Sequence, residues 1–274
     1  MADPILAPGE LSSLTNAVLF DCRTGPGARQ RYDEGHLPGA RFVDLEADLS
    51  KRGDPAHGGR HPLPAAPEFA ARLGRWGVGP DTPVVAYDDQ GGANAAARFW
   101  WMVRALGHER VYVLDGGLEG ARAAGLTLTT ASPDIAERPP YPAEAWRLPI
   151  ADIDEVESAR LSLSRRVLDV RAAVRFRGEQ EPIDPVAGHI PGAHNVPLTE
   201  NLAGGRFKSR EALRALYGPL LSGSSPEQLI VHCGSGVTAC HTLLALQRAG
   251  LEGAKLYVGS WSEWCRNPER PREP

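Results

Sequence analysis

The sequence predicts an α/β chain built from two tandem copies of one domain, each a parallel sheet with helices on both faces. Three observations carry this. The second half of the chain can be laid on the first. Val18-Leu19-Phe20-Asp21-Cys22-Arg23 matches Val167-Leu168-Asp169-Val170-Arg171 as a strand ending in Asp-x-Arg, and Gly35-His36-Leu37-Pro38-Gly39-Ala40 matches Gly188-His189-Ile190-Pro191-Gly192-Ala193. Short apolar runs then alternate with helical patterns in each half, the order expected of a parallel sheet covered by helices. Finally, four prolines within residues 133–142 separate the halves, and prolines at that density forbid a regular helix or inner strand. The sequence boundaries are an N-terminal domain at 1–130, a semi-rigid linker at 131–147 and a C-terminal domain at 148–274.

Composition excludes several classes of function. A chain of 274 residues has room for two cores, and 42% hydrophobic with 23% charged residues is ordinary for a soluble globular protein. A net charge of −4 without a basic run argues against nucleic acid as a partner. The first residues, Met1-Ala2-Asp3-Pro4-Ile5-Leu6, lack the charged-then-apolar pattern of a leader, and no apolar run reaches membrane-spanning length. Neither secretion nor a membrane anchor is expected, and a reducing cytoplasm fits the four cysteines, none of which forms a Cys-x-x-Cys pair. That spacing also argues against zinc and against a disulfide framework, and no metal or organic cofactor is called for.

Taken in order, the first half offers a strand at Val18–Arg23 and a Gly-His-x-Pro-Gly turn. Phe42-Val43-Asp44-Leu45 then leads into a loop, Gly53–Pro64, rich in Gly and Pro and carrying His57 and His61. A loop of that length is a functional candidate. Val84–Tyr87 is a strand ending at Asp88, and Phe99, Trp100, Met102, Val103 and Leu106 mark one apolar face of the helix that follows. Val111–Leu118 carries the last strand before the linker and falls on Lys255–Trp261.

The second half repeats this order. Beside its first strand, Arg171, Arg175 and Arg177 fall within seven residues and are able to neutralise an anion. His189, like His36, reads as a hydrogen-bonded packing residue. Leu229–His232 aligns with Val84–Tyr87, which sets Cys233 where the first half has Asp88, 145 residues earlier. A carboxylate is no thiol nucleophile, so the first copy is expected to be catalytically silent. Cys22 and Cys240 read as core, Cys265 as an exposed residue near the C-terminus, and His241 as solvent-facing on the helix predicted for Val237–Gln247. Strand alternation sends His232 to the face opposite Cys233.

Cys233-Gly234-Ser235-Gly236-Val237-Thr238-Ala239 is the stretch with chemistry in it. A strand, a glycine-bearing loop and a helix present a group at the carboxyl edge of a parallel sheet. The loop N–H groups and the helix N-terminus form an anion cradle. A thiol there is expected to be acidic and nucleophilic. A Cys-type phosphatase needs an Arg six residues after its Cys, and Ala239 stands there. What remains is a cradle for an anionic sulfur, which suits a persulfide.

This loop resembles the active-site loop of the two-domain sulfurtransferases of the rhodanese superfamily, and within them the 3-mercaptopyruvate sulfurtransferases. Rhodaneses that use thiosulfate usually place basic side chains after the Cys, where this chain has Gly234, Ser235 and Gly236. The resemblance spans both halves and implies two rhodanese-like domains with one active site at their interface. It implies that Cys233 accepts sulfur from 3-mercaptopyruvate, with thiosulfate as the alternative donor, and passes it to cyanide or to a thiol such as thioredoxin. It further implies that residues 234–238, including Gly234, Gly236, Val237 and Thr238, cradle the persulfide, and that Arg175 binds the donor's anionic end. The segment ending His61-Pro62-Leu63-Pro64 resembles the family's His-x-Leu-Pro, which implies a relay of Ser235, His61 and Asp44; capping a turn is the competing role for Asp44, and His57 competes with His61. Gly259-Ser260-Trp261-Ser262-Glu263-Trp264 resembles the family's closing motif, whose tryptophans are structural. One departure stands out: where the family commonly has Glu-Pro-Arg, with a second clamp arginine, this chain has Glu181-Pro182-Ile183. Arg60, Arg171 or Arg177 would have to replace it. A non-catalytic sulfide-binding module is the reading from another functional class.

Overall fold

The computed structural model describes residues 3–221 and 223–274. Backbone proximity divides the chain into two units: residues 1–50, 64–147 and 204–207 form the first, and residues 51–63, 148–203 and 208–274 the second. The division does not run at a single point in the sequence. Residues 51–63, which the sequence boundaries place inside the N-terminal domain, group with the second unit.

Each unit is a parallel five-stranded sheet, and the two sheets share one topology. In the first, the strands lie side by side in the order Ile5–Leu6, Val111–Leu114, Val84–Tyr87, Val18–Asp21, Arg41–Phe42. In the second, the order is Ile150–Ala151, Lys255–Tyr257, Leu229–His232, Arg166–Asp169, His194–Asn195. Numbered along the chain within each half, both read 1-5-4-2-3, so the sequence repeat is a repeat of topology. The central strands Val84–Tyr87 and Leu229–His232 are buried throughout, as expected of strands covered on both faces.

In the first unit, Val85 and Tyr87 pack with Leu114, Leu118 and Ala121 on one face. Phe20 lies opposite Ala86 in register and therefore points to the other face, where its ring meets Phe99 at 4.5 Å and Trp76 at 5.3 Å. The helix Ala95–Ala105 is buried on nearly every side, not only along its predicted apolar face. From 130 to 149 there is no helix or strand, yet the proline-rich stretch is fastened: the N–H groups of Arg138, Tyr141 and Arg147 donate to the carbonyls of Gly74, Ala70 and Ala105.

In the second unit, Val156, Val167, Ile190, Ile230, Tyr257, Trp261 and Trp264 form one buried cluster, and Cys265 belongs to it. Cys265 is therefore not the exposed thiol that its terminal position suggests: it is 3% accessible, and burial pushes its pKa up. All four cysteines are thiols, and Cys22 and Cys240 are core residues as expected.

His241 is the other correction. It is fully buried, because the helix Arg210–Leu221 packs beside its own helix, Ala239–Arg248. Tyr217 donates its hydroxyl hydrogen to Asn201 Oδ1, and the Asn201 amide donates to His241 Nδ1 at 3.1 Å and to Thr242 Oγ1 at 3.1 Å. With Nδ1 used as an acceptor, a second ring proton would oppose an N–H donor. Burial lowers the His241 pKa to about 3. The folded state then binds fewer protons than the unfolded state between that value and about 6.5, so stability falls as pH drops through this window. His241→Gln keeps an acceptor for Asn201 without the titration. It is expected to remove on the order of 2 kcal/mol of the stability lost between about pH 7 and pH 4.5, read from denaturation midpoints. An unchanged acid sensitivity would remove His241 from this account.

Candidate active site

The strand Leu229–His232 delivers Cys233 to the carboxyl edge of the second sheet, 1% accessible. The next helix starts at Ala239, two residues later than predicted, because residues 234–238 curl before it begins. Gly236 makes that curl possible: its φ is +73°, and a side chain there would collide with the Val258 carbonyl.

The corresponding loop of the first unit indicates what such a loop holds. Asp88 occupies the position of Cys233, and its carboxylate accepts the N–H groups of Gln90, Gly92, Asn94 and Ala96 at 2.8–3.3 Å. Burial pushes the Asp88 carboxyl up, and those four donors oppose it. The first unit's loop is thus a nest closed around its own anion. The corresponding loop after Cys233 is one residue shorter before its helix and carries no such carboxylate.

A second chain segment stands over the thiol loop. Ser235 Oγ lies 2.8 Å from His61 Nδ1. His61 belongs to the loop 51–63, which is closed by Lys51 N–H donating to the Pro62 carbonyl. This loop is tied to the short helix Ser260–Trp264: Gly58 N–H donates to Glu263 Oε1 at 2.7 Å and Arg60 N–H to Ser262 Oγ at 3.0 Å. The same helix holds the thiol loop, since Trp261 N–H donates to the Cys233 carbonyl at 3.0 Å and Ser262 N–H to the Gly234 carbonyl at 2.9 Å. One five-residue helix therefore sets the spacing between Ser235 and His61. The tryptophans of its motif are buried, as expected; its serines and glutamate do the positioning, and that role was not read from sequence.

Ser260 was missed for the same reason. Its Oγ accepts the Cys233 N–H at 3.1 Å and lies 4.0 Å from Cys233 Sγ, and its φ is +53°, an uncommon value for a residue with a side chain. Strain beside a reactive group is typical of functional sites. The signal available in sequence was its place directly after Gly259, where the following strand ends.

The other candidates sort cleanly. His57 is exposed and lies 3.6 Å from Asp54, leaving His61 as the histidine at Ser235. Asp44 lies in the first unit, where Oδ1 caps the helix Leu45–Asp48 by accepting the Glu46 and Ala47 N–H groups. His232 is buried, with Nδ1 at 3.1 Å from the Cys233 carbonyl and its pKa lowered by burial. Arg171 is a brace: it grips Asp169 and the Gly188 carbonyl. Arg177 is exposed and paired with Glu179. Arg175 sits on the helix Ala173–Phe176, its Nε and Nη2 forked on Glu181 at 3.2 and 2.6 Å. A Cβ built on Gly234 would lie 3.6 Å from both Nη atoms of Arg175, so this guanidinium borders the thiol loop.

Comparison with known proteins gives the family. The model of the rhodanese-like domain matches the chain twice, at residues 8–124 and 152–267. A Pseudomonas aeruginosa protein provisionally named 3-mercaptopyruvate sulfurtransferase is 46% identical over 93% of this chain and 91% of its own length. A Mycobacterium tuberculosis protein provisionally named thiosulfate sulfurtransferase is 41% identical over 90% of this chain and 86% of its own. Among solved structures, the 3-mercaptopyruvate sulfurtransferase of Leishmania major superposes with a TM-score of 0.83 at 32% identity, covering 96% of this chain and 75% of that one. With the domain matched in both halves, the topology repeated and the Cys loop in the second copy, the chain belongs to the rhodanese family as a tandem two-domain member.

Proposed function

We propose that this chain is a sulfurtransferase that takes sulfur from 3-mercaptopyruvate onto Cys233 and hands it to a thiol or to cyanide. The observation that carries the reading is the 2.8 Å contact between Ser235 Oγ and His61 Nδ1 on the loop that bears Cys233. In the first half-reaction the Cys233 thiolate attacks the donor's sulfur. An S–S bond forms, the C–S bond breaks, and its electron pair leaves on carbon as the enolate of pyruvate, which must be protonated. Ser235 backed by His61 is a proton relay suited to that demand. Thiosulfate would release sulfite, a stable anion with no need for a proton, so such a relay would serve it little.

The persulfide is received by the N–H groups of residues 234–238, the counterpart of the nest that holds Asp88 in the silent copy. Arg175 takes the donor's carboxylate. In the second half-reaction an acceptor thiolate attacks the outer sulfur and Cys233 leaves as thiolate; a dithiol such as thioredoxin then completes a disulfide and releases sulfide. A cytoplasmic setting suits that acceptor. Among the described residues, no helix is long and apolar enough to cross a membrane.

The test is kcat/KM with cyanide as acceptor for 3-mercaptopyruvate and thiosulfate side by side, in the wild type and in Ser235→Ala. The wild type is expected to prefer mercaptopyruvate. The variant is expected to lose about 10²–10⁴-fold on that donor, the range of general acid–base catalysis, and much less on thiosulfate. Equal losses on both donors, or a wild-type preference for thiosulfate, would give the donor's place to thiosulfate.

A further inference from the structure

We propose that Arg60 supplies a second guanidinium to the donor-anion site, held in place by the buried carboxylate of Asp184. This rests on the assignment of an anionic sulfur donor to Cys233, and it names the residues that select for the anion.

Arg60 and Arg175 come from segments more than a hundred residues apart, yet both reach Gly234, the residue after the nucleophile. A Cβ built on Gly234 would lie 3.3 Å from Arg60 Nη2 and 3.6 Å from the Nη atoms of Arg175. Each guanidinium spends one edge on a carboxylate. Arg60 Nη1 donates to Asp184 Oδ1, and Arg175 uses Nε and Nη2 on Glu181. Among the described residues, neither Arg60 Nη2 nor Arg175 Nη1 hydrogen-bonds to a protein acceptor. Their side chains are 20% and 18% accessible, low enough to strengthen the field of each charge and open enough to meet a small ligand.

Asp184 is what fixes Arg60. Its side chain is fully buried; Oδ1 also accepts Arg266 Nη1 at 2.8 Å, and Oδ2 lies 3.8 Å from Arg175 Nη2. A buried carboxylate bound by two guanidinium groups and flanked by a third cannot swing, so Asp184 is a positioning residue. Ile183, at the position where the family commonly has a clamp arginine, is 55% exposed and contributes no charge. Two donor edges converging on one small space match a group with two anionic oxygens, such as a carboxylate.

The experiment compares 3-mercaptopyruvate with mercaptoacetone, which keeps the ketone and the CH2–SH but has no carboxylate, and with thiosulfate. Arg60→Met is expected to raise KM for 3-mercaptopyruvate about tenfold or more, since a charged hydrogen-bond partner is lost, with little change in kcat. Its kcat/KM on mercaptoacetone should stay at the wild-type value, and Arg60→Lys should recover part of the lost affinity. Asp184→Asn should raise KM for the anionic donor in the same direction without affecting mercaptoacetone. Circular dichroism confirms that each variant is folded, and Arg60→Lys serves if Arg60→Met is not. If the wild type prefers thiosulfate, the mercaptopyruvate assignment fails, while a KM for thiosulfate raised by Arg60→Met still supports Arg60. A KM unchanged for every anionic donor, or equal losses on mercaptoacetone, would overturn the role of Arg60.

Discussion

Replacing Cys233 with serine is expected to abolish sulfur transfer while leaving the fold in place. Serine fits the space at the end of the strand Leu229–His232, but its hydroxyl stays protonated near neutral pH and forms no bond equivalent to a persulfide. Loss of a covalent nucleophile costs on the order of 10⁴-fold or more in kcat/KM. Mass spectrometry gives the second reading: after exposure to donor without acceptor, the wild-type chain should gain one sulfur atom on Cys233 and the variant none. The other thiols should not take over. Cys240 is buried and its Sγ lies 3.4 Å from the Gly236 carbonyl. Cys22 is buried in the first unit, where burial raises its pKa well above the usual thiol value. Sulfur recovered on any of these, or turnover retained by the variant, would move the nucleophile elsewhere.

The largest loss of stability is expected from Asp169→Asn. Asp169 is fully buried and accepts Arg171 Nε and Nη2 at 3.0 and 2.6 Å, while Arg171 also donates to the Gly188 carbonyl at 2.8 Å and lies 4.8 Å above the Trp261 ring. Removing one charge strands the other in the interior, a change that costs about 3–5 kcal/mol. Burial pushes the Asp169 carboxyl up, but His232 and Arg171 outweigh it and hold its pKa below the ordinary value. Its contribution is therefore complete above that ordinary value, about 3.9, and is lost as pH falls further. Activity should suffer as well, because Arg171 also contacts Glu181, the carboxylate that holds Arg175. Denaturant melts of wild type and variant at neutral pH measure the effect; a loss under about 1 kcal/mol would mean that Glu181 alone compensates Arg171.

The same brace occurs in the first unit, with Arg23 on Asp21 and on the Gly35 carbonyl. This explains why Asp-x-Arg and Gly-His-x-Pro-Gly recur together in the sequence: one grips the other. His36 and His189 repeat too, each with Nδ1 on a backbone carbonyl and its ring stacked on Tyr32 or Phe176. Such features were legible because they are local, and because two copies of a pattern expose its fixed positions. The places where the sequence misled, His241 and Cys265, depend on packing from elsewhere in the chain. A helical position looks exposed until an earlier helix of the chain, Arg210–Leu221, is known to cover it.

By itself the sequence determined the two-copy α/β architecture and set Asp88 and Cys233 at corresponding strand ends of the two copies. Strand periodicity, glycine geometry and the chemistry of a thiol at a helix N-terminus operate within a dozen residues. Only the tertiary structure decided which histidine meets Ser235, that Ser260 stands beside the thiol, and that Arg60 and Arg175 meet at Gly234. Those relations join residues far apart in the chain; hydrogen bonds from the helix Ser260–Trp264 hold the loop 51–63 and the thiol loop, and Glu181 holds Arg175. Directional bonds of about 3 Å are specific only once the backbone has brought both ends into place, and no sequence spacing encodes that distance.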